Sequence, residues 1–368
     1  MARTWNKPKP GKEGAFLASI DDNQTAERKT LFDAMQRVRS VVLSTEYDEL
    51  LNTEIQVLLD SIKMEHALAS MRQRRSSKRA GRVLIVTGEA GAGKSHALMN
   101  AFESRPEFEN FGVVGEACPL LSVVAPSPFT LKALGNEIVR KIGYLGERDI
   151  PEGEVWPMIR ILMKELQIFI IHIDEAQHGD QISNHAVHQA VENTLKRLLQ
   201  DNDWPLWLIL SGLPELARFC QGDRSINRRI HHVRFESLRF PEHAEAVRGT
   251  IREISSACPR LDCSAVLSDE FTARLLHAAL HQFGILIEFV QDAILECLQT
   301  GKRKLSADHF ADAYSARTGE TADRLNVFLA DDWDKIDVEI ALYEQPVDDD
   351  GNPVGRKQRK PSPAEGKH

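Results

Sequence analysis

No apolar run in this 368-residue chain approaches the roughly 20 residues that a membrane helix needs. The opening stretch, Met1-Ala2-Arg3-Thr4-Trp5-Asn6-Lys7, also lacks the apolar core of a signal peptide. Cysteine is scarce: Cys118, Cys220, Cys258, Cys263 and Cys297 are odd in number and scattered, and the last close pair is too widely spaced for a C-x-x-C site. Reduced thiols and a cytoplasmic location are the expectation. His185 and His188 share a helix spacing and His231-His232 are adjacent, but no cysteine or carboxylate pattern of metal-site spacing accompanies them, which argues against zinc. The net charge of −8 argues against a surface that is basic all over. Positive charge is instead clustered: Arg72, Arg74, Arg75, Lys78, Arg79 and Arg82; then Arg224, Arg228, Arg229, Arg234 and Arg239; then Arg356, Lys357, Arg359, Lys360 and Lys367. For the first run, a solvated face and a DNA-facing or partner-facing role both stay open.

What is present is more telling. Gly88-Glu89-Ala90-Gly91-Ala92-Gly93-Lys94-Ser95 fits the phosphate-binding pattern G-x-x-x-x-G-K-[ST] at every fixed position. It follows the apolar run Val83-Leu84-Ile85-Val86 and leads into a helix-compatible stretch through Ala97, Leu98, Ala101 and Phe102. Glycines let successive backbone N–H groups converge on phosphate oxygens, and the helix adds its positive N-terminal end. Lys94 is expected to reach the β- and γ-phosphates of ATP, and the Ser95 hydroxyl to ligate Mg²⁺. A second apolar run, Ile168-Phe169-Ile170-Ile171-His172-Ile173, ends in Asp174-Glu175 and reads as a strand buried on both faces of a parallel sheet. Asp174 is expected to hold Mg²⁺ opposite Ser95, with Glu175 placed to activate water for attack on the γ-phosphate. His172 reads as a packed core histidine.

The chain divides by pattern. Residues 1–25, with Pro8, Pro10, Gly11 and Gly14, read as a disordered arm. Residues 26–80 read as an N-terminal helical segment, in which Leu51, Ile55, Leu58 and Ile62 recur at helical spacing. Residues 81–240 read as an α/β core with strands at Val83–Thr87, Gly112–Cys118, Ile168–Asp174, Leu206–Ser211 and roughly Val233–Glu236, alternating with helices at 130–142 and 184–200. Such alternation predicts a parallel sheet with ligands at the C-terminal ends of the strands. Residues 241–330 read as a helical lid, with Ser268 and Ser306 as helix caps and Ile285, Phe289 and Ile294 on an apolar face. Residues 331–368 read as a largely disordered tail. No internal repeat is visible.

Two further positions complete the expected site. Ser211, ending a strand in Leu208-Ile209-Leu210-Ser211-Gly212-Leu213-Pro214, is expected to point at the γ-phosphate and hydrogen-bond the attacking water; an ordinary turn signal is the alternative. Arg228 or Arg229 is expected to reach a neighbouring subunit's γ-phosphate, which would require an oligomer; a surface ion pair is the alternative. There is no Ser/His/Asp arrangement with a nucleophile elbow, and so no hydrolase chemistry is expected beyond that on the nucleotide.

These motifs resemble the AAA+ branch of P-loop ATPases, and within it the TniB/TnsC transposition regulators. The resemblance is carried by Gly88–Ser95, Ile171-His172-Ile173-Asp174-Glu175-Ala176-Gln177-His178, Leu210-Ser211-Gly212-Leu213-Pro214-Glu215-Leu216, Arg228-Arg229 and Pro126-Ser127-Pro128-Phe129-Thr130-Leu131-Lys132-Ala133-Leu134, over about residues 30–320. It implies a slow ATPase that assembles as rings or helical filaments on duplex DNA, contacts the backbone without sequence specificity, and connects a transposase to a target-selection protein. By the same resemblance, Thr130 and Lys132 face the DNA. One departure is Gly284-Ile285-Leu286-Ile287-Glu288, which has no arginine where many AAA+ lids carry one, and which suits a slow switch better than a fast motor. The competing readings are an AAA+ loader or initiator in replication, and a nucleotide-gated peptide or secretion switch with no DNA role.

Overall fold

The computed structural model describes residue 20 and residues 25–71, 81–113, 116–144, 146, 148–176, 194, 196–201, 203–219, 228–319 and 322–339. Most of the proposed arm, the first basic run apart from Arg82, Arg224, most of the helix read at 184–200 and the basic tail lie outside the described residues. The described residues form two compact units. One comprises Ser44–Leu238 with Gln282–Gly284, and the other the described parts of Met1–Leu43, Arg239–His281 and Ile285–His368.

The first unit is built on five parallel strands: β1 (Val83–Thr87), β2 (Leu120–Val124), β3 (Ile170–Asp174), β4 (Trp207–Gly212) and β5 (Ile230–Arg234), in the spatial order β2-β3-β4-β1-β5. Every side chain of β1 and β4 is buried, as expected of strands covered on both faces. Because side chains alternate along a strand, the sheet feeds two cores. Leu84, Val86, Ile170, Trp207 and Ile209 pack with Leu51, Ile55 and Leu58 of α2 (Glu46–Met71) and Leu98 and Phe102 of α3 (Lys94–Glu103). Ile85, Ile171, Ile173, Leu208 and Leu210 pack with Leu134 and Ile138 of α4 (Leu131–Lys141) and Val155, Ile159 and Met163 of α5 (Glu152–Glu165). Burying each large apolar side chain contributes on the order of 1.5–3 kcal/mol. Polar ties fix α2 on its face: Trp207 Nε1 donates to Ser61 Oγ at 2.7 Å, and the Glu236 N–H to the Tyr47 hydroxyl at 2.9 Å.

The second unit is helical. Preceding α2 in the chain is α1 (Ala26–Arg39); α6 (Leu216–Phe219) is a short turn of the first unit. Then come α7 (Ala244–Ser256), α8 (Asp269–Ala278), α9 (Phe283–Gln299) and α10 (Ala307–Thr318), with the first two residues of α9 belonging to the sheet unit. Ser268 caps α8 through the Phe271 N–H at 3.2 Å, and Ser306 with His309 forms a capping box on α10. Phe271, Phe289, Phe310, Tyr314 and Phe328 stack into its core.

The structure shifts several sequence-based expectations. The second strand is Leu120–Val124, not Gly112–Cys118: Gly112 takes a positive φ of 79°, and the Pro119 carbonyl accepts from both Phe169 and Ile170 N–H, so pairing with β3 starts there. The last strand starts at Ile230 rather than Val233. Helix α5 was not expected, because Gly153 and Pro157 lie inside it. The 26–80 segment holds two helices that belong to different units. Residues 331–339, read as tail, are mostly exposed but include the buried Val338, 2% exposed. Among the described residues, no single helix is long and apolar enough to cross a membrane.

Candidate functional site

Parallel strands place their C-terminal ends on one edge, and the order β3-β4-β1 brings three of those ends side by side. The loop from Gly88 to Gly93 leaves β1 there and enters α3. Gly91 (φ 78°) and Gly93 (φ 93°) hold the left-handed conformation that side chains resist. A Cβ on Gly88 would lie 2.7 Å from the Phe235 Cβ, so only glycine fits that position. A Cβ on Gly93 would meet nothing within 4 Å, which leaves the cradle open on that side. Lys94 curls into the loop: its Nζ donates to the Gly88 and Glu89 carbonyls, both at 2.8 Å. Burial pulls its pKa down, opposed by the nearby carboxylates of Glu175, Asp174 and Glu89.

Asp174 ends β3 and gathers the neighbouring donors. Ser95 Oγ donates to Asp174 Oδ2 at 2.8 Å, Ser211 Oγ to Oδ1 at 2.5 Å, and the Glu175 N–H to Oδ1 at 3.0 Å. Burial alone would raise the Asp174 pKa; the hydrogen bonds from Ser211 and Ser95 and the His172 neighbour outweigh it and hold the carboxyl below its usual range. Glu175 is exposed and sits at φ 54°, a left-handed conformation uncommon for a side-chain-bearing residue. An ionised carboxylate and a hydroxyl, both hard oxygen donors beside an open backbone cradle, fit a Mg²⁺ ion that keeps its remaining positions for phosphate and water.

The structure thus brings Gly88–Ser95, Asp174, Glu175 and Ser211 together. The aim of Ser211 differs from the sequence expectation. Its hydroxyl is fully buried and turned to Asp174 and His172 rather than outward to a γ-phosphate. Arg228 and Arg229 precede β5, whose first residue pairs with Val83 at the start of β1. Four residues of strand, about 13 Å, separate them from the phosphate-loop edge. Arg228 is exposed; Arg229 is half-buried, its pKa lowered by burial and by Arg228, and its Nη1 has no hydrogen-bond partner among the described residues. Thr130 is the N-cap of α4, accepting from the Ala133 N–H at 3.0 Å, and Lys132 is exposed beside Asp149 at 3.9 Å.

Two features escaped the sequence. His172 is buried, as expected, but it bonds on both ring nitrogens, to Ser122 and to Ser211. Gly284 donates its N–H to the Gly91 carbonyl at 2.8 Å, and a Cβ there would lie 2.6 Å from that oxygen. A polar residue inside an apolar strand was the available signal for the first; the second left none.

Residues 77–219 match the family model described as an AAA domain. The five-stranded parallel sheet with surrounding helices is the P-loop AAA+ fold. Among solved structures it is similar to Cdc6p from Pyrobaculum aerophilum, at 11% identity over 78% of this chain and 71% of that one, with a TM-score of 0.52. It is also similar to Drosophila ORC bound to DNA, at 11% identity over 88% and 74% with a TM-score of 0.48. A third is the Aeropyrum pernix ORC2 protein, at 13% identity over 72% and 71% with a TM-score of 0.46. No curated protein matches the sequence.

Proposed function

We propose that this chain is an ATP-dependent switch that binds Mg²⁺-ATP at Gly88–Ser95, hydrolyses it slowly, and in the ATP state assembles as rings or filaments on duplex DNA to regulate transposition. The observation that carries the nucleotide part is the meeting of Ser95 and Asp174 at 2.8 Å beside the glycine cradle. The loop N–H groups and Lys94 hold the phosphates, Lys94 exchanging its two carbonyl contacts for phosphate oxygens. Ser95 and Asp174 hold the metal, which when bound neutralises charge on the β- and γ-phosphates. Glu175, exposed at the end of β3, orients the attacking water and takes its proton. Arg228 or Arg229, too far from its own loop, reaches a neighbour's γ-phosphate. Gly284-Ile285-Leu286-Ile287-Glu288 offers no cation to the phosphates, in keeping with slow turnover.

The DNA part rests on the motif resemblance to the TniB/TnsC regulators, with Thr130 and Lys132 at the exposed start of α4 as the backbone contacts. Transposase subunits and a target-selection protein are the partners this reading implies. Negative-stain electron microscopy of the protein with duplex DNA, Mg²⁺ and a slowly hydrolysed ATP analogue, against the same mixture with ADP, tests it. Rings or filaments only with the analogue are the expected result. Monomers in both would discard the trans arginine and favour a nucleotide-gated peptide switch. A single closed ring loaded on DNA, without extension, would favour a replication loader.

A further inference from the structure

A polar path crosses the sheet through Ser122 on β2, His172 opposite it on β3, and Ser211 on β4, two residues beyond the partner of His172. Ser122 Oγ lies 2.9 Å from His172 Nδ1, and His172 Nε2 lies 2.8 Å from Ser211 Oγ. Ser211 then donates to Asp174 Oδ1 at 2.5 Å. His172 and Ser211 are fully buried among apolar neighbours, where Phe102 packs edge-on to the imidazole. An isoleucine would fill that space without any polar requirement; a buried histidine is tolerated because both ring nitrogens are bonded.

Proton counting fixes the direction of the path. A serine hydroxyl has one hydrogen, and an ionised carboxylate only accepts. The Ser211 hydrogen goes to Asp174, so His172 Nε2 must be the donor to Ser211 Oγ. This holds whether the imidazole is neutral or charged. The bonds run one way from His172 through Ser211 to Asp174.

We propose that His172 is a positioning residue for the metal-holding carboxylate. Its Nε2–H fixes the Ser211 hydroxyl, Ser211 pins Asp174 Oδ1, and Oδ2 is left facing Ser95, where Mg²⁺ is held. The metal half of this proposal rests on the Mg²⁺-ATP reading above. It gives Ser211 a different task from contacting the attacking water: it acts on the carboxylate.

Two measurements test it. In protein selectively ¹⁵N-labelled at histidine, long-range ¹H–¹⁵N spectra are expected to show one ring with a slowly exchanging Nε2–H proton, and this signal is absent in His172→Gln. An Nδ1–H tautomer for His172 overturns the proposal. Second, binding of a fluorescent ATP analogue is titrated with Mg²⁺. His172→Leu is expected to raise the Mg²⁺ needed for half-maximal binding about tenfold or more, the usual range for a residue that orients a metal ligand. Metal-free binding stays unchanged, and His172→Gln, which keeps a donor N–H, recovers most of the loss. An unaltered Mg²⁺ requirement in the leucine variant, or an equal loss of metal-free binding in a folded variant, overturns the proposal. Should the leucine variant not fold, the tautomer and the glutamine variant decide. Wild-type protein that binds the analogue without any Mg²⁺ dependence would instead sink the functional reading, and the tautomer result would stand apart from it.

Discussion

Glu175 holds a left-handed backbone at φ 54° immediately after Asp174, and its own N–H bonds the Asp174 carboxylate. A side-chain-bearing residue kept in that region costs of order 1–3 kcal/mol and persists where the surroundings over-determine it. Here Glu175 stays exposed while Asp174 is pinned. Glu175→Gln preserves size and backbone, and it is expected to retain ATP binding while turnover falls by about 100-fold or more, the contribution of a positioned general base. Assemblies on DNA should then outlive those of the wild type. Normal turnover in that variant, measured by phosphate release, would remove the base assignment. Asp201 illustrates a carboxylate with a structural task. It accepts from the Asp203 and Trp204 N–H groups at 2.8 and 3.0 Å and pairs with Arg160. Burial raises its pKa, but those bonds prevail and hold it below the usual aspartate value. A lowered folded-state pKa gives stability that is present above the unfolded value and lost as pH falls through the folded one. Asp201→Asn should therefore cost about 1 kcal/mol at pH 7, with the gap to wild type closing in acid. Denaturant midpoints at neutral and acid pH check this; a gap that widens in acid contradicts it.

Elements show which features were legible beforehand. The phosphate loop was plain because its chemistry demands a contiguous set of residue types after a strand, and β1, β3 and β4 because doubly buried strands leave continuous apolar runs. The start of β2 differs from the expectation because Val113 is apolar yet follows Gly112, which takes a positive φ, and α5 is hidden by Gly153 and Pro157. The Ser122–His172–Ser211 path was illegible for a deeper reason. It depends on β4 lying beside β3, and on lateral register, which only the folded sheet supplies. Helix α4 separates two roles at adjacent positions. Thr130→Ala removes an N-cap and should cost about 1 kcal/mol of stability. Lys132→Ala breaks only an exposed pair worth little, so stability should hold while duplex affinity falls and the salt slope drops by about one. Unchanged duplex affinity in a stable Lys132→Ala protein would remove α4 from the DNA reading. At the start of α9, Gly284→Ala would press a methyl within 2.6 Å of the Gly91 carbonyl. The loop must shift to accept it, and nucleotide affinity is expected to fall at least tenfold; retained affinity would show that the contact is dispensable.

At the scale of the whole molecule, the sheet unit carries every group of the candidate nucleotide site, and the helical unit has its own aromatic core. Arg228 and Arg229 precede the edge strand β5, away from their own loop, which is why function at a subunit interface is part of the proposal. Everything in the account, assembly included, depends on Mg²⁺-ATP occupying the Gly88–Ser95 cradle. Equilibrium titration of a fluorescent ATP analogue into wild-type and Lys94→Ala protein, each with Mg²⁺, tests that most directly. The account predicts saturable binding to the wild type and none in the variant, with circular dichroism unchanged between the two. Equal binding by both proteins, or none by the folded wild type, would contradict it.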